Sequence, residues 1–171
     1  MEGKPKVRSL KSREKVGLQP LIEQLIPDEA EVKRLLKGDV KLLEYGGVEV
    51  YLIGDYILAR VGEKIFPALF PANERLLNSL PAVVVDMGAV GPVASGADIM
   101  RPGIKVFMGD FRPGDLIVVR DERYGKAIAI GIALLPHDEA LQSKSGRVVK
   151  NLHHVDDKIW KILSSEISKT R

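Results

Sequence analysis

Two glycine dipeptides, Gly46-Gly47 and Gly54-Asp55, cut residues 40–61 into three short runs: Val40-Lys41-Leu42-Leu43-Glu44-Tyr45, Val48 to Ile53, and Tyr56 to Val61. A two-residue connection joins only antiparallel neighbours, because a parallel return needs a crossover of roughly a dozen residues or more. This stretch is therefore committed to an antiparallel meander. Upstream, Leu18, Leu21, Ile22, Leu25 and Ile26 recur at helical spacing, Pro27 closes the run, and Asp28 stands where it can cap a second helix over residues 31–37. Gly38 occupies the place of a left-handed C-terminal residue. Residues 65–69 predict a further strand and residues 73–80 a helix that stops at Pro81. An N-terminal α+β domain over residues 1–79 follows.

From Pro81 onward the pattern changes without a Gly/Ser linker, so a second domain, residues 80–171, starts at once. Residues 82–86, 98–101, 116–121, 126–134 and 147–155 predict five short strands, with helical turns near residues 89–95 and 137–142. That spacing favours a small barrel. In Ala127-Ile128-Ala129-Ile130-Gly131-Ile132, small and branched residues alternate, which assigns the isoleucines to one face and leaves the other free for a close neighbour. The octet Gly96-Ala97-Asp98-Ile99-Met100-Arg101-Pro102-Gly103 reads as a short strand between two tight turns, with Ile99 inward and Arg101 projecting.

Composition excludes several classes. No segment of the 171 residues approaches the roughly 18 continuous apolar residues of a membrane span, and no secretory pattern opens the chain. A cytoplasmic address is expected. The absence of cysteine removes disulfides, thiolate nucleophiles and Cys-ligated zinc. With only three Asn and three Gln beside 29% charged residues, the composition fits a thermophile. The net charge of +3 is mild, but Lys4, Lys6, Arg8, Lys11, Arg13 and Lys15 face only Glu2 and Glu14 in the first fifteen residues. This reads as a basic arm, solvated or laid on phosphates.

Catalytic signatures are missing. His153 and His154 are adjacent, so a strand sends them to opposite faces, and His137 completes no metal-ligand spacing. Asp156 and Asp157 read as a solvated turn and Asp86 as a turn cap. Neither Ser12 nor Ser95 sits in a Gly-x-Ser-x-Gly elbow, and no phosphate-binding loop of the Gly-x-x-x-x-Gly-Lys type exists. No catalytic residue, metal or cofactor is assigned.

The octet, the apolar run 82–85 before it and Gly109 to Arg120 after it together resemble the PUA domain, a small RNA-binding pseudo-β-barrel. Ile65-Phe66-Pro67-Ala68-Leu69, the Arg75-Leu76-Leu77 helix and the Asn151 to Trp160 ending are similar to the malignant T-cell-amplified sequence family, which shares them with the first part of eukaryotic initiation factor 2D and with stand-alone archaeal proteins. The resemblance implies a pre-PUA α+β domain followed by the PUA barrel, and a non-enzymatic protein binding tRNA and the small ribosomal subunit in initiation or recycling, with a translation-factor protein as a further partner. The winged-helix and initiation-factor-1-like domains of long members are absent, so full initiator-tRNA delivery is not implied. Two other readings stay open: a module presenting tRNA to a separate modification enzyme, and a protein-protein scaffold. Because the resemblance sets RNA against the helix-to-strand surface, Ser95, Gly96, Ala97, Asp98, Met100, Arg101, Pro102, Gly103 and Lys105 form the expected cradle. Arg120, Arg123 and Lys126 make a second patch, and Lys4, Lys6 and Arg8 a third.

Overall fold

Gly46 and Gly47 both adopt positive φ, 53° and 81°, giving the mirror-image turn whose twist matches that of a hairpin. The computed structural model describes residues 3–169, which fold as two units divided between Leu76 and Leu77. In the first, β1 (Lys6–Ser9), β2 (Val40–Tyr45), β3 (Val48–Ile53), β4 (Tyr56–Val61) and β5 (Lys64–Pro67) form one antiparallel sheet in chain order. Its helices are α1 (Ser12–Glu23) and α2 (Glu29–Lys37). Alternation puts Val40, Leu42, Tyr51, Ile53, Leu58 and Ile65 on one face, where they bury Leu18, Ile22, Val32 and Leu36 of the helices.

Asp28 caps α2 by accepting from the Ala30 and Glu31 N–H groups, at 3.0 and 3.1 Å, a contact worth about 1 kcal/mol. Gly38 is not left-handed: its φ is −74° and the chain leaves the helix in extended form, its N–H still bonded to Leu35 O. Fully buried Asn73 takes the place of a strand neighbour, accepting from Ile57 N–H and donating to the carbonyls of Ile57 and Ala68. It precedes α3 (Glu74–Ser79).

The second unit contains β6 (Ala82–Val85), α4 (Met87–Ala94), β7 (Ile99–Met100), β8 (Ile104–Met108), β9 (Leu116–Asp121), β10 (Ala127–Ala133), α5 (His137–Gln142), β11 (Arg147–His154) and α6 (Lys158–Ser168). The strands lie in the order β7-β11-β10-β9-β6-β8 in a curled sheet, with β6 and β9 parallel. Val83, Val85, Ile99, Ile117, Val119 and Val149 fill its core.

Three elements escape the sequence reading: β1, β8 and α6. Register shifts also break the expected alternation in β10, so Ile128 and Ala129 enter the same core. The close neighbour is nevertheless there. A Cβ on Gly131 would collide with Lys150 O and Val149 Cγ1 of β11, so only glycine fits.

Candidate nucleic-acid interface

Asp86 caps α4 by accepting from Ala89 N–H at 2.9 Å, and Glu122 Oε1 accepts from Met87 N–H at 3.2 Å. The helix is built of small residues, and Gly88, Gly91 and Pro92 lie exposed on it. It ends in the exposed turn Ser95-Gly96-Ala97, where Gly96 has a φ of 97° that an L side chain rarely adopts.

That turn is fastened from below. Asn151 Nδ2 donates to Val93 O at 3.0 Å and Ala97 O at 2.9 Å, while Asp98 accepts from Asn151 N–H at 2.9 Å and from Arg147 Nη1 at 3.1 Å. The Asn151 N–H bond and the Arg147 guanidinium hold the Asp98 carboxyl below its ordinary pKa. Asn151 Oδ1 is buried and has no donor among the described residues. His154 Nδ1 faces Val155 O at 2.8 Å, and since a carbonyl only accepts, the ring N–H sits on Nδ1. In the neutral ring Nε2 is therefore an acceptor, 3.2 Å from where a Gly96 Cβ would stand.

Met100 and Arg147 are cross-strand neighbours of β7 and β11; Met100 is 46% exposed and the Arg147 side chain 62%. Bare backbone, an apolar side chain and a cation thus share one surface. The Ser95, Gly96 and Ala97 N–H groups are taken by the Pro92 and Val93 carbonyls, so such a surface can hold phosphate through the guanidinium, and a sugar or base through close backbone approach and apolar contact.

A second exposed segment joins β9 and β10. Buried Asp121 accepts from the N–H groups of Tyr124 and Lys126, at 2.6 and 3.1 Å, and Arg120 donates to Gly125 O and Asn78 Oδ1. Arg123 and Lys126 are exposed. In the first unit, Arg8 makes a bidentate pair with Glu14, at 2.9 and 2.8 Å. That bond and the Lys11 N–H pull the Glu14 carboxyl down to about 2.

The PUA domain family matches residues 81–155. A protein of Methanocaldococcus jannaschii is 38% identical over 128 residues, covering 72% of this chain and 76% of its own length. Translation machinery-associated protein 20 of Schizosaccharomyces pombe is 30% identical over 157 residues, covering 86% and 80%. This chain belongs to the Translation machinery-associated protein 20 and malignant T-cell-amplified sequence family. A solved structure of a hypothetical protein from Pyrococcus horikoshii superposes with a TM-score of 0.72 at 30% identity, over 92% of this chain and 99% of that one.

Within the PUA unit, Ser95, Gly96, Ala97 and Met100 share the exposed turn surface, with Pro102 and Lys105 exposed further along the chain. Two members of the expected cradle are engaged elsewhere. Asp98 braces the turn, as described. Arg101 does not project: Nε donates to Ala140 O at 2.9 Å, Nη1 to Ile104 O at 3.2 Å, and the guanidinium carbon lies 5.1 Å from the Phe107 ring centre. It clamps α5 to β8. Gly103 is half-buried, a Cβ there coming within 3.1 Å of Ala89 Cβ, so glycine lets its turn approach α4.

The basic arm needs a larger correction. Lys6 and Arg8 belong to β1, which pairs with β2, and Arg8 is neutralised by Glu14 with Glu44 3.8 Å away. Lys4 is exposed just before the strand, whereas Met1 and Glu2 lie outside the described residues. Asp157 is no solvated residue either: it caps α6 at Trp160 N–H and accepts from buried His153 at 2.7 Å. Arg147 and His154 were missed because both sit far from the octet in sequence. Only strand pairing brings β11 beside β7. Among the described residues no group of three or more His, Asp or Glu side chains is arranged for a metal, and no helix is long and apolar enough to cross a membrane.

Proposed function

We propose that this protein is a non-catalytic RNA-binding factor of the translation machinery, active in the cytoplasm, whose partners are tRNA and the small ribosomal subunit. The observation that carries this reading is the exposed Ser95-Gly96-Ala97 turn with Met100 and Arg147 beside it, a ready seat for a ribose-phosphate backbone. Relatives whose names place them with the translation machinery support it. The acids that could have served as catalysts have structural tasks, which supports the non-catalytic part: Asp86 and Asp157 cap helices, Asp98 braces the turn and Asp121 organises the β9–β10 connection. Residues 80–171 hold RNA, and residues 1–79 supply a second contact surface that directs the protein to its assembly.

Sedimentation of the full chain with purified small subunits, paired with tRNA titrations, tests the proposal. Arg147→Ala with Lys105→Ala is expected to weaken both associations and to lower the slope of log affinity against log salt by about 0.7 for each lost phosphate contact. Unchanged binding and slope would contradict it. Copurification with an RNA-modifying enzyme in place of ribosomal subunits would favour tRNA presentation instead.

A further inference from the structure

Tyr124, at the tip of the β9–β10 connection, is 77% exposed, more than any other large hydrophobic residue described. Its backbone, by contrast, is tightly held. Asp121 accepts from Tyr124 N–H at 2.6 Å and from Lys126 N–H at 3.1 Å, and Arg120 fixes Gly125 O at 2.9 Å. Glu122 ties the connection to the first residue of α4 through Met87 N–H, and its own N–H bonds Val85 O. The ring is thus presented to solvent from a fixed base, with the Arg123 guanidinium carbon 6.0 Å from its centre. Arg123 and Lys126, exposed on either side, make no ion pair among the described residues.

We propose that Tyr124 is a stacking platform for an unpaired base of single-stranded RNA, with Arg123 and Lys126 holding the adjoining phosphates. A flat π face on a held backbone beside exposed cations is the combination that binds single strands without reading sequence. Its position fixes the path. Glu122, two residues before Tyr124, is tied to the first residue of α4 and the glycine turn follows its last, so the connection and the turn flank a helix about 12 Å long, with exposed Gly88 and Gly91 along it. A strand laid along α4 meets backbone and Arg147 at one end and the ring at the other. This inference rests on the RNA-binding reading and adds a second contact point and a single-strand requirement to it.

The test is a fluorescence titration of the full chain with a short unstructured oligoadenylate, and with a matching duplex RNA, using wild type, Tyr124→Ala, Tyr124→Phe, Arg123→Ala and Arg147→Ala. Thermal melting checks that each variant folds. Tyr124→Ala should weaken single-strand binding roughly fivefold to a hundredfold with the salt slope unchanged, because a base contact and no charge is lost. Tyr124→Phe should bind like wild type, and Arg123→Ala should lower the slope by about 0.7. The duplex should not respond to Tyr124→Ala. Equal losses for Ala and Phe, or no loss for Ala while Arg147→Ala weakens binding, would overturn the stacking role and leave RNA binding standing. If none of the variants alters affinity, the RNA-binding reading itself falls. Loss of subunit association by Tyr124→Ala without loss of RNA affinity would make the tip a protein contact and overturn the proposal.

Discussion

The two sheets of this protein are built to opposite rules. In the first unit every strand pairs with its chain neighbour in unbroken register after β1, and charged residues meet partners across strands, Glu49 beside Arg60 and Lys6 opposite Glu44. In the second unit register shifts interrupt the β10–β11, β9–β10, β7–β11 and β6–β8 pairs, and the chain neighbours in sequence are mostly not neighbours in the sheet. Regular pairing makes a scaffold that satisfies its own polar groups. Shifted pairing bends strands, exposes bare turns and leaves cations such as Arg147 and Arg123 facing solvent. The difference teaches where to look for binding: the irregular sheet.

The largest expected effect breaks that irregularity. Gly131→Val drives a side chain into Lys150 O and should destabilise the protein by about 3 kcal/mol or more, read by chemical denaturation. Its counterpart in the regular unit, Asn73→Ala, deprives Ile57 and Ala68 backbone groups of partners and should cost about 2 kcal/mol. Equal tolerance of both would erase the contrast.

A smaller effect concerns acid stability. Burial pushes the Asp157 carboxyl up, yet its bonds to His153 and to the Trp160 and His154 N–H groups bring it below the ordinary value. A depressed carboxylate contributes stability fully above the unfolded-state pKa of about 3.9, and that contribution disappears as pH falls through the lower folded value. Asp157→Asn should lower stability at neutral pH by about 1 kcal/mol and flatten its decline below about pH 4, measured by urea midpoints across pH.

No larger in stability, but opposite in kind, are two arginines. Arg101→Ala removes the donors to Ala140 O of α5 and Ile104 O of β8 and should cost about 1 kcal/mol of stability. Arg147→Ala should leave stability within about 0.5 kcal/mol and weaken RNA binding. Reversed assignments would return Arg101 to the cradle.

The pattern of success in the sequence follows from range. The meander was legible to the residue, because Gly46-Gly47 and Gly54-Asp55 fix local pairing without reference to the rest of the chain. Helices α2 and α5 were legible for the same reason. Strand β1 reads as an arm in the sequence because Lys6-Val7-Arg8-Ser9 has no buried position, being an edge strand with every residue exposed. Strand β8 hid between Gly103 and Gly109, its bulge spoiling the alternation. Helix α6 had a usable signal in the Asp157 cap followed by Ile159, Ile162 and Leu163 at helical spacing. The candidate site was half-legible: the glycine turn announced itself, whereas Arg147 reaches Asp98 across 49 residues, His154 stands beside a Gly96 far from it in sequence, and the diversion of Arg101 to Ala140 depends on tertiary packing.

The most direct test of the central claim is photocrosslinking of a labelled single-stranded RNA to the full chain, with the attached peptides mapped by mass spectrometry. The account predicts adducts within residues 95–105, 123–126 and 147–154 of the irregular sheet and few on the regular one. Adducts confined to Lys4, Lys6, Arg8 and their neighbours on β1 would contradict it.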